Sequence, residues 1–457
     1  MDKKTIMENL ARESFEKGGF NGAWLYAENG EIVSKGCMGF RDPANTQPVT
    51  EDSIFQLASV SKQFTAAAVM LMIRKGALSL EDEITGYFPE IPYPGVTVRH
   101  LLTHTSGIPD YFDDADWFVR IWKEEKRVPG NDEILRFLRE TKAKAYFAPG
   151  EGLEYSNTGY NLLALLVERL SGVPYEEFLQ KNIFEPAGMT STRCCHIRRD
   201  GIPFGNYARA SVFENGRYIA DMDSAKVSDV AAFDGLNGDD YVYTSIFDML
   251  RWDRALREGK VLTPAEQRLM YTPARLNNGE NAVFDEDDGL SYGFGWGVGR
   301  DGKFGLIVSH SGGMPGVITW FERFIDADRV LILLSNRDPE EYRAFSGFYN
   351  GARKIARDTE AEPIRTIEDL AVKDPDRSKW ESFCGKYEHP EDEDFIIDEI
   401  FMQDGGLYAA ALDEDYGRFT FRLYPIGENE FGRKGGMLSL KFGDGCLMFG
   451  EHTCKKL

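Results

Sequence analysis

Long apolar runs are missing from this sequence. The longest in the first part of the chain, residues 66–73, has less than half of the ~20 residues that a membrane-spanning helix needs. The N-terminus has Lys3 and Lys4 but no apolar segment directly after them, which is typical of an amphipathic helix and not of a signal peptide. We therefore expect no membrane partner and a cytoplasmic location.

Basic residues are also in short supply. The 457 residues include 53 Lys and Arg against 75 Asp and Glu, which gives a formal net charge of −22. Such a chain lacks the clustered cations that phosphate contacts need, so nucleic acid is not an expected partner. Eleven acidic residues lie within 387–417 with no Lys or Arg among them. We interpret this stretch as a solvated face; a calcium site is the alternative, but no D-x-D-x-D-G loop supports it.

Cysteine is scarce too. Six cysteines in a chain of this length indicate no disulfide framework. Cys194 and Cys195 precede His196, but two adjacent cysteines rarely supply a tetrahedral zinc site. His100 and His104 are spaced i, i+4 without the acidic partner of an H-E-x-x-H motif. We expect structural histidines here, and neither a metal nor a cofactor.

The chain has enough apolar residues for a large core. Hydrophobic residues make up 42% of it and aromatic residues 13%, which is typical of a soluble globular protein of two or three domains. Strand patterns at 22–40 and 292–335 flank a mostly helical region. This order predicts an α+β fold, an α/β sandwich whose antiparallel sheet is built from both ends, with flanking helices and a helical insertion.

A second pattern begins near the C-terminus. Residues 358–379 are polar and contain two prolines, which is typical of a linker. Short apolar stretches separated by glycine turns follow and predict a small antiparallel β-barrel. The predicted domains are therefore 1–357 and 380–457, joined by that linker.

Local signals predict the elements around the motifs discussed next. Asn29-Gly30 between two apolar runs predicts a hairpin over 22–40. Ser59 begins a helical pattern that Gly76 ends. Further strands are expected over 292–298, 304–309, 317–324 and 329–335, and a helix over 341–357.

Ser59 and Lys62 form the most informative motif, S-x-x-K. Their i, i+3 spacing at a helix start places both side chains on one face, roughly 5–6 Å apart at Cβ. A serine hydroxyl is a weak nucleophile that needs a base, and a lysine can serve where its site favours the neutral amine. The motif alone is weak evidence, because Ser14 and Lys17 repeat it without further motifs nearby.

A tyrosine motif, Tyr155-Ser156-Asn157, accompanies Ser59. A tyrosine hydroxyl can relay protons when a nearby ammonium lowers its pKa. An asparagine amide can hold both the lysine and a substrate amide. Taken alone, Tyr155 is an ordinary half-buried aromatic residue and Asn157 a helix N-cap.

A glycine motif, His310-Ser311-Gly312-Gly313, follows an apolar strand pattern. Paired glycines let a substrate backbone approach closely, and a strand N–H here can form an oxyanion hole together with the N–H of Ser59. Taken alone, the motif is a turn. A competing motif, G-x-S-x-G around Ser291, lacks the strand before it and the helix after it that a nucleophile elbow requires, so we do not expect Ser291 to be the nucleophile.

The three motifs resemble those of the serine β-lactamase-like hydrolases, in the branch of class C β-lactamases, DD-peptidases, D-aminopeptidases and esterases. The resemblance covers roughly residues 15–355 and includes the linking segments 101–111, 155–193, 243–256 and 310–321. The C-terminal segment, with CGKYE at 384–388, is similar to the lipocalin-like domain that some members append.

The resemblance implies a role for each residue. Ser59 would accept the acyl group, activated by Lys62 alone or together with Tyr155. Asn157 would orient Lys62 and the substrate, and the N–H groups of Ser59 and Gly313 would form the oxyanion hole. His310, followed by Ser311 and Gly312, takes the place of the lysine in the K-T-G motif of class C β-lactamases.

The resemblance also has departures. A neutral His310 is a weaker anchor for the carboxylate of a β-lactam, which argues against efficient β-lactamase activity. Asp240 and Tyr241 stand where the family usually has glycines and would narrow that part of the cleft.

The expected function is a metal-free serine hydrolase that cleaves a small ester or peptide-like amide, including one with a D-residue. The alternatives are a penicillin-binding or sensing protein with little turnover, and an acyltransferase that uses the same residues. The sequence leaves the oligomeric state open.

Overall fold

The computed structural model describes residues 2–285, 289–388, 395–413, 417–443, 445–450 and 452–457. It divides into two compact units: Gly22–Asp338, and Met1–Asn21 together with Pro339–Leu457. Six of the eleven acidic residues of the predicted acidic face lie outside the described residues: those at 391–394, Glu414 and Asp415. The predicted domain boundaries at 357 and 380 stay predictions.

The strands of the described chain, in order, are β1 (Gly22–Glu28), β2 (Glu31–Met38), β3 (Phe55–Gln56), β4 (Arg193–Cys194), β5 (Ser211–Glu214), β6 (Arg217–Ala220), β7 (Val242–Thr244), β8 (Val283–Asp285), β9 (Leu290–Tyr292), β10 (Gly297–Asp301), β11 (Gly305–Met314), β12 (Val317–Phe324), β13 (Arg329–Ser335), β14 (Gly385–Lys386), β15 (Phe395–Gln403), β16 (Gly406–Asp413), β17 (Gly417–Gly427), β18 (Glu430–Arg433), β19 (Ser439–Gly443), β20 (Cys446–Phe449) and β21 (His452–Lys455).

The α-helices are α1 (Lys3–Glu16), α2 (Lys62–Arg74), α3 (Val98–Leu102), α4 (Ala115–Arg120), α5 (Asn131–Thr141), α6 (Asn157–Ser171), α7 (Tyr175–Leu179), α8 (Glu185–Ala187), α9 (Ile197–Asp200), α10 (Ile246–Arg257), α11 (Pro264–Met270), α12 (Tyr342–Ala356), α13 (Ile367–Leu370) and α14 (Trp380–Phe383). No helix in the described ranges is long and apolar enough to cross a membrane.

The first unit is built on an antiparallel sheet with the strand order β2-β1-β13-β12-β11-β10-β9-β8. Strand β1 pairs with both β2 and β13, so strands from the two ends of the unit meet in the sheet. The helices of this unit lie between β2 and β8 in the chain. This arrangement confirms the predicted α+β fold, with one antiparallel sheet and a helical insertion.

The predicted hairpin is also confirmed. Asn29 and Gly30, both at positive φ, form the turn between β1 and β2. The predicted strand over 292–298 is wrong, because β9 ends at Tyr292 and β10 begins only at Gly297. Between them the chain leaves the sheet to approach α2 so closely that a Cβ on Gly295 would lie 2.9 Å from the Lys62 carbonyl oxygen.

Helix α2 is the central element of this unit. It is buried from residue 62 to residue 72, which includes most of its apolar run over 66–73, and it packs against α6. The helical pattern that begins at Ser59 starts as a turn of 3₁₀-helix over Ala58–Ser61, and the α-helix itself begins at Lys62. Gly76, in the left-handed conformation, follows the C-cap Lys75.

In the second unit, α1 and α12 pack together, and the Ser14 hydroxyl donates to the Ala344 carbonyl at 2.7 Å. The predicted linker contains the short helix α13, whose Ile367 is buried. The C-terminal strands form a sheet with the sequential order β14 to β21. Leu457 N–H donates to Lys386 O at 2.9 Å and Glu388 N–H to Lys455 O at 2.8 Å, so the two ends of this sheet are joined as in the predicted barrel.

Candidate active site

Ser59 lies on a tight turn that precedes the most buried helix of the protein. Ala58, just before it, has φ +48°, a left-handed conformation that is uncommon for a residue with a side chain. Neighbouring strands fix this turn: Leu57 N–H donates to Val242 O at 2.9 Å, and the Thr319 hydroxyl donates to Leu57 O at 2.6 Å. A strained backbone conformation that neighbouring strands hold in place is characteristic of functional sites.

The Lys62 ammonium is buried and contacts three acceptors. Its Nζ lies 3.1 Å from Ser59 Oγ, 2.6 Å from Asn157 Oδ1 and 3.1 Å from the carbonyl oxygen of Asp239. An ammonium has three N–H donors, so these three partners satisfy it completely. The S-x-x-K motif at Ser59 therefore places the lysine in direct contact with the serine.

Tyr155 and Asn157 reach the same lysine from the start of α6. Lys62 Nζ lies 4.8 Å from the centroid of the Tyr155 ring. Burial raises the pKa of Tyr155, and the nearby Lys62 charge opposes that rise. The Tyr155 hydroxyl is buried and has no hydrogen-bond partner among the described residues. The N-cap of α6 is Ser156, whose side chain accepts from Gly159 N–H, so the interpretation of Asn157 as an N-cap is wrong.

His310 lies on β11, and both of its ring nitrogens have partners. Nδ1 is 2.5 Å from the Ser311 carbonyl oxygen, which can only accept, so Nδ1 carries the proton. Nε2 therefore accepts from the Tyr292 hydroxyl at 2.8 Å. Burial, with a further contribution from the Lys62 charge, lowers the pKa of His310 to about 3. The imidazole is thus neutral at physiological pH.

The glycine motif is part of strand β11 and not a turn. Gly312 lies so close to the Ser59 turn that a Cβ there would come within 2.2 Å of the Leu57 carbonyl oxygen. Gly313 faces open space, and Ser311 is exposed. The structure therefore brings this strand against the residues just before Ser59, as an oxyanion hole made by both segments would require.

His104, for which the sequence predicts only a structural role, lies among the aromatic residues of the site. Its Nδ1 accepts from the Ser156 N–H at 3.0 Å, and its ring centroid lies 4.3 Å from that of Tyr155 and 4.5 Å from that of Tyr292. Burial lowers the pKa of His104 well below its usual range. The sequence signal that could have placed His104 in the site is its position in segment 101–111, one of the segments that resemble the family.

Tyr292 was missed as well, because it belongs to the rejected G-x-S-x-G motif. Ser291 lies in β9, which is followed by the sheet strand β10 and not by a helix. The aromatic residue beside that serine, and not the serine itself, contacts the site.

Asp240 and Tyr241, which the sequence predicts to narrow the cleft, are both buried, and the narrowing stays a prediction. Asp240 accepts from Gln56 Nε2 at 3.2 Å, and burial, with Asp239 nearby, raises its pKa to about 7. Tyr241 packs in an apolar cluster with Ile54 and Tyr243.

His100, His196 and Cys194, which the sequence analysis considered as metal ligands, have ordinary partners. His100 Nδ1 accepts from the Thr97 N–H at 3.1 Å, and His196 Nε2 lies 3.0 Å from Glu176 Oε1. Cys194 Sγ lies 3.3 Å from Asn237 Oδ1. In the part of the chain that the structure describes, no three His, Cys, Asp or Glu side chains are grouped as a metal site needs.

Comparison with known proteins gives consistent matches. Residues 7–352 match the Beta-lactamase family. Penicillin-binding protein 4* of Bacillus subtilis (strain 168) is 34% identical over 433 residues, which is 94% of this chain and 91% of that protein.

Two solved structures match with lower identity. The octameric penicillin-binding protein homologue from Pyrococcus abyssi has a TM-score of 0.65 at 22% identity and covers 98% of this chain and 99% of its own. The D-amino acid amidase from Ochrobactrum anthropi SV3 complexed with D-phenylalanine has a TM-score of 0.63 at 23% identity and covers 78% of this chain and 97% of its own. These two matches show a shared fold.

Proposed function

Because the chain belongs to the beta-lactamase family and is a serine hydrolase of that kind, we propose that it forms an acyl-enzyme on Ser59 and cleaves a small ester or a peptide-like amide. The observation that carries this proposal is the contact between Lys62 Nζ and Ser59 Oγ at 3.1 Å. A serine in contact with a buried amine has the partner that it needs to act as a nucleophile.

The proposed reaction has two steps. The pair formed by Lys62 and Tyr155 acts in the state that lacks one proton, either as the neutral amine or as a phenolate beside the ammonium. Ser59 Oγ attacks the carbonyl carbon, its proton passes to this pair, and the pair returns the proton to the leaving alcohol or amine. Water then attacks the ester on Ser59 with the same pair as base and releases the acid. The N–H groups of Ser59 and Gly313 hold the oxyanion in both steps. Protons in such a coupled pair belong to the pair, so we assign the role to both residues together.

The environment of His310 bears on the substrate class. The ring is neutral, one nitrogen donates to Ser311 O and the other accepts from Tyr292. It therefore offers neither a charge nor a free N–H to a substrate carboxylate. This supports substrates without a carboxylate at that position and argues against efficient hydrolysis of β-lactams. Amides with a D-residue are included in the proposal because a D-amino acid amidase has the same fold.

A second candidate function is a penicillin-binding protein that is acylated but turns over slowly. The 34% identity to penicillin-binding protein 4* over almost the whole chain favours it. An acyltransferase would use the same residues with an alcohol or amine in place of water.

Intact-protein mass spectrometry after brief incubation with an activated short-chain ester, and in parallel with a penicillin, tests these proposals. Wild type, Ser59→Ala and Ser291→Ala are compared; the last is the matched control from the rejected motif. We expect an acyl adduct on wild type and on Ser291→Ala, and none on Ser59→Ala. Ester turnover without a lasting adduct, abolished by Ser59→Ala, would also support hydrolysis.

An acyl adduct on folded Ser59→Ala would contradict the assignment of Ser59 as the nucleophile. A stable penicillin adduct without ester turnover would favour the penicillin-binding candidate instead.

A further inference from the structure

Strand β8 places an aromatic side chain against Tyr155. The centroid of the Phe284 ring lies 6.0 Å from that of Tyr155, with 31° between the two ring planes, and 4.9 Å from that of Tyr292. Aromatic rings at these separations are in favourable contact. Phe284 therefore belongs to the surroundings of the proposed reaction, although it lies in none of the sequence motifs.

Phe284 also differs from the other rings around Tyr155 in its exposure. In the described part of the chain, the rings packed around Tyr155 are those of His104, Tyr292, His310 and Phe284. The first three residues are buried, with exposed fractions of 1%, 0% and 4%. Phe284 and Tyr155 are both only half-buried. Of these four rings, Phe284 is therefore the one that a ligand approaching Tyr155 can contact.

Two attachments hold Phe284 in this position. Strand β8 pairs with β9 at the edge of the sheet. The segment before β8 is tied to the loop that leads to Tyr155. Asn277 N–H donates to Gly150 O at 2.8 Å, and Asn277 Nδ2 donates to Pro149 O at 2.9 Å. A side chain on a main chain held in this way loses little conformational entropy when a ligand packs against it.

The role of Tyr155 in the proposed reaction determines which part of a substrate meets Phe284. The pair formed by Lys62 and Tyr155 returns the proton to the leaving alcohol or amine, so the leaving atom has to come within hydrogen-bond reach of that pair. The rest of the leaving group then lies beside the exposed part of Tyr155, and this is where the Phe284 ring stands.

We propose that Phe284 is a specificity-determining residue for the leaving group. Its ring packs against an aromatic or large apolar alcohol or amine that the reaction releases. The inference rests on the proposed function, in which Tyr155 serves the leaving group, and it narrows the substrate class to esters and amides whose leaving group is aromatic or large and apolar.

Two activated acetates with different leaving groups test this role. Nitrophenyl acetate releases an aromatic alcohol, and trifluoroethyl acetate releases a small aliphatic one. Both give the same acetyl-enzyme, so their kcat/KM values differ only through the leaving group, and intrinsic reactivity cancels when the ratio of the two values is compared between variants. In Phe284→Ala we expect the ratio of nitrophenyl to trifluoroethyl acetate to fall by about 10-fold, the order that one apolar contact in a binding pocket contributes.

Ile32→Ala is the matched control. Ile32 is an apolar residue, 40% exposed, on β2, which forms the opposite edge of the same sheet. This variant should keep the wild-type ratio. Phe284→Tyr retains the aromatic ring and should keep the ratio as well.

Phe284→Leu covers the case in which Phe284→Ala does not fold. Leucine keeps an apolar side chain at this position but removes the ring, so the ratio should fall by a smaller factor than in Phe284→Ala. An unchanged ratio in both folded variants overturns the role of Phe284. The same holds for an equal loss of kcat/KM with both esters, because that result would show that Phe284 only supports Tyr155.

The experiment also separates this proposal from the proposed function. A wild type that hydrolyses neither ester and forms no adduct on Ser59 overturns the proposed function. Turnover of both esters with an unchanged ratio in the Phe284 variants overturns only the role of Phe284.

Discussion

Gly312 supplies the sharpest steric test of the site. A Cβ added at this position would lie 2.2 Å from the Leu57 carbonyl oxygen, 2.3 Å from the Thr319 hydroxyl oxygen and 3.1 Å from the Ala58 Cβ. Two of these atoms belong to the rigid turn before Ser59, and the third is hydrogen-bonded to that turn. In Gly312→Ala, therefore, strand β11 and the turn have to move apart.

The expected loss of stability and activity in Gly312→Ala follows from how far the added Cβ would overlap these atoms. An ordinary contact between a Cβ and an oxygen needs more than 3 Å, so a displacement of about 1 Å is required. Overpacking of this kind costs about 1–3 kcal/mol of the free energy of unfolding. A displacement of about 1 Å between reacting groups lowers turnover by about 100-fold. We therefore expect a modest loss of stability and a much larger loss of kcat/KM.

The assay compares kcat/KM for an activated ester and the midpoint of urea unfolding in wild type, Gly312→Ala and Gly302→Ala. Gly302 is the matched control, because a Cβ there meets no atom within 4 Å and its φ is not positive. It should behave as wild type in both measurements. A folded Gly312→Ala protein with wild-type kcat/KM would refute the argument that β11 and the Ser59 turn form one site.

Two further predictions concern stability. Burial raises the pKa of Asp240 from 3.8 to about 7. Its contribution to the free energy of unfolding is therefore fully present below pH 3.8 and is lost as the pH rises through about 7. As the pH rises from 4 to 8, Asp240→Asn should therefore become more stable relative to wild type, by up to about 1.4 kcal/mol of unfolding free energy per pH unit. Urea melts measure this difference, and a difference that does not change with pH would contradict the argument. Arg323 Nε lies 2.7 Å from Asp253 Oδ1, and both side chains are buried. Arg323→Met should therefore lower the free energy of unfolding by about 3 kcal/mol. A loss below about 1 kcal/mol in the same urea melts would show that Arg257, the other partner of Asp253, compensates its charge alone.

The parts of the fold that the sequence predicts are those in which the signal is local. Asn29-Gly30 favours a tight hairpin turn, and β1 and β2 form around it. The spacing of Ser59 and Lys62 places both on one helical turn, and the structure joins them at 3.1 Å. Neither inference needed knowledge of distant residues.

Tertiary packing determines the features of the fold and the site that local sequence signals do not predict. The pattern over 292–298 is typical of one strand, but Gly295 approaches the backbone of α2 and interrupts it. Asp239, Asn161 and Tyr111 come from three separate segments, and none of them belongs to a motif that predicts their contact. These contacts arise only when the three segments pack together.

The state of His310 shows why a residue's identity does not define its chemistry. The resemblance predicts that His310 stands where class C β-lactamases have a lysine, and a histidine can be neutral or charged near pH 7. The Ser311 carbonyl oxygen fixes the tautomer with its proton on Nδ1, and Tyr292, from a segment that the sequence interprets as a false motif, donates to Nε2. Protonation of the ring would reverse that hydrogen bond, with Nε2–H donating to the Tyr292 oxygen, and would add a buried charge near Lys62. Burial and the nearby Lys62 charge therefore keep the imidazole neutral, and under the proposed function a substrate beside His310 finds no ionic partner in that ring.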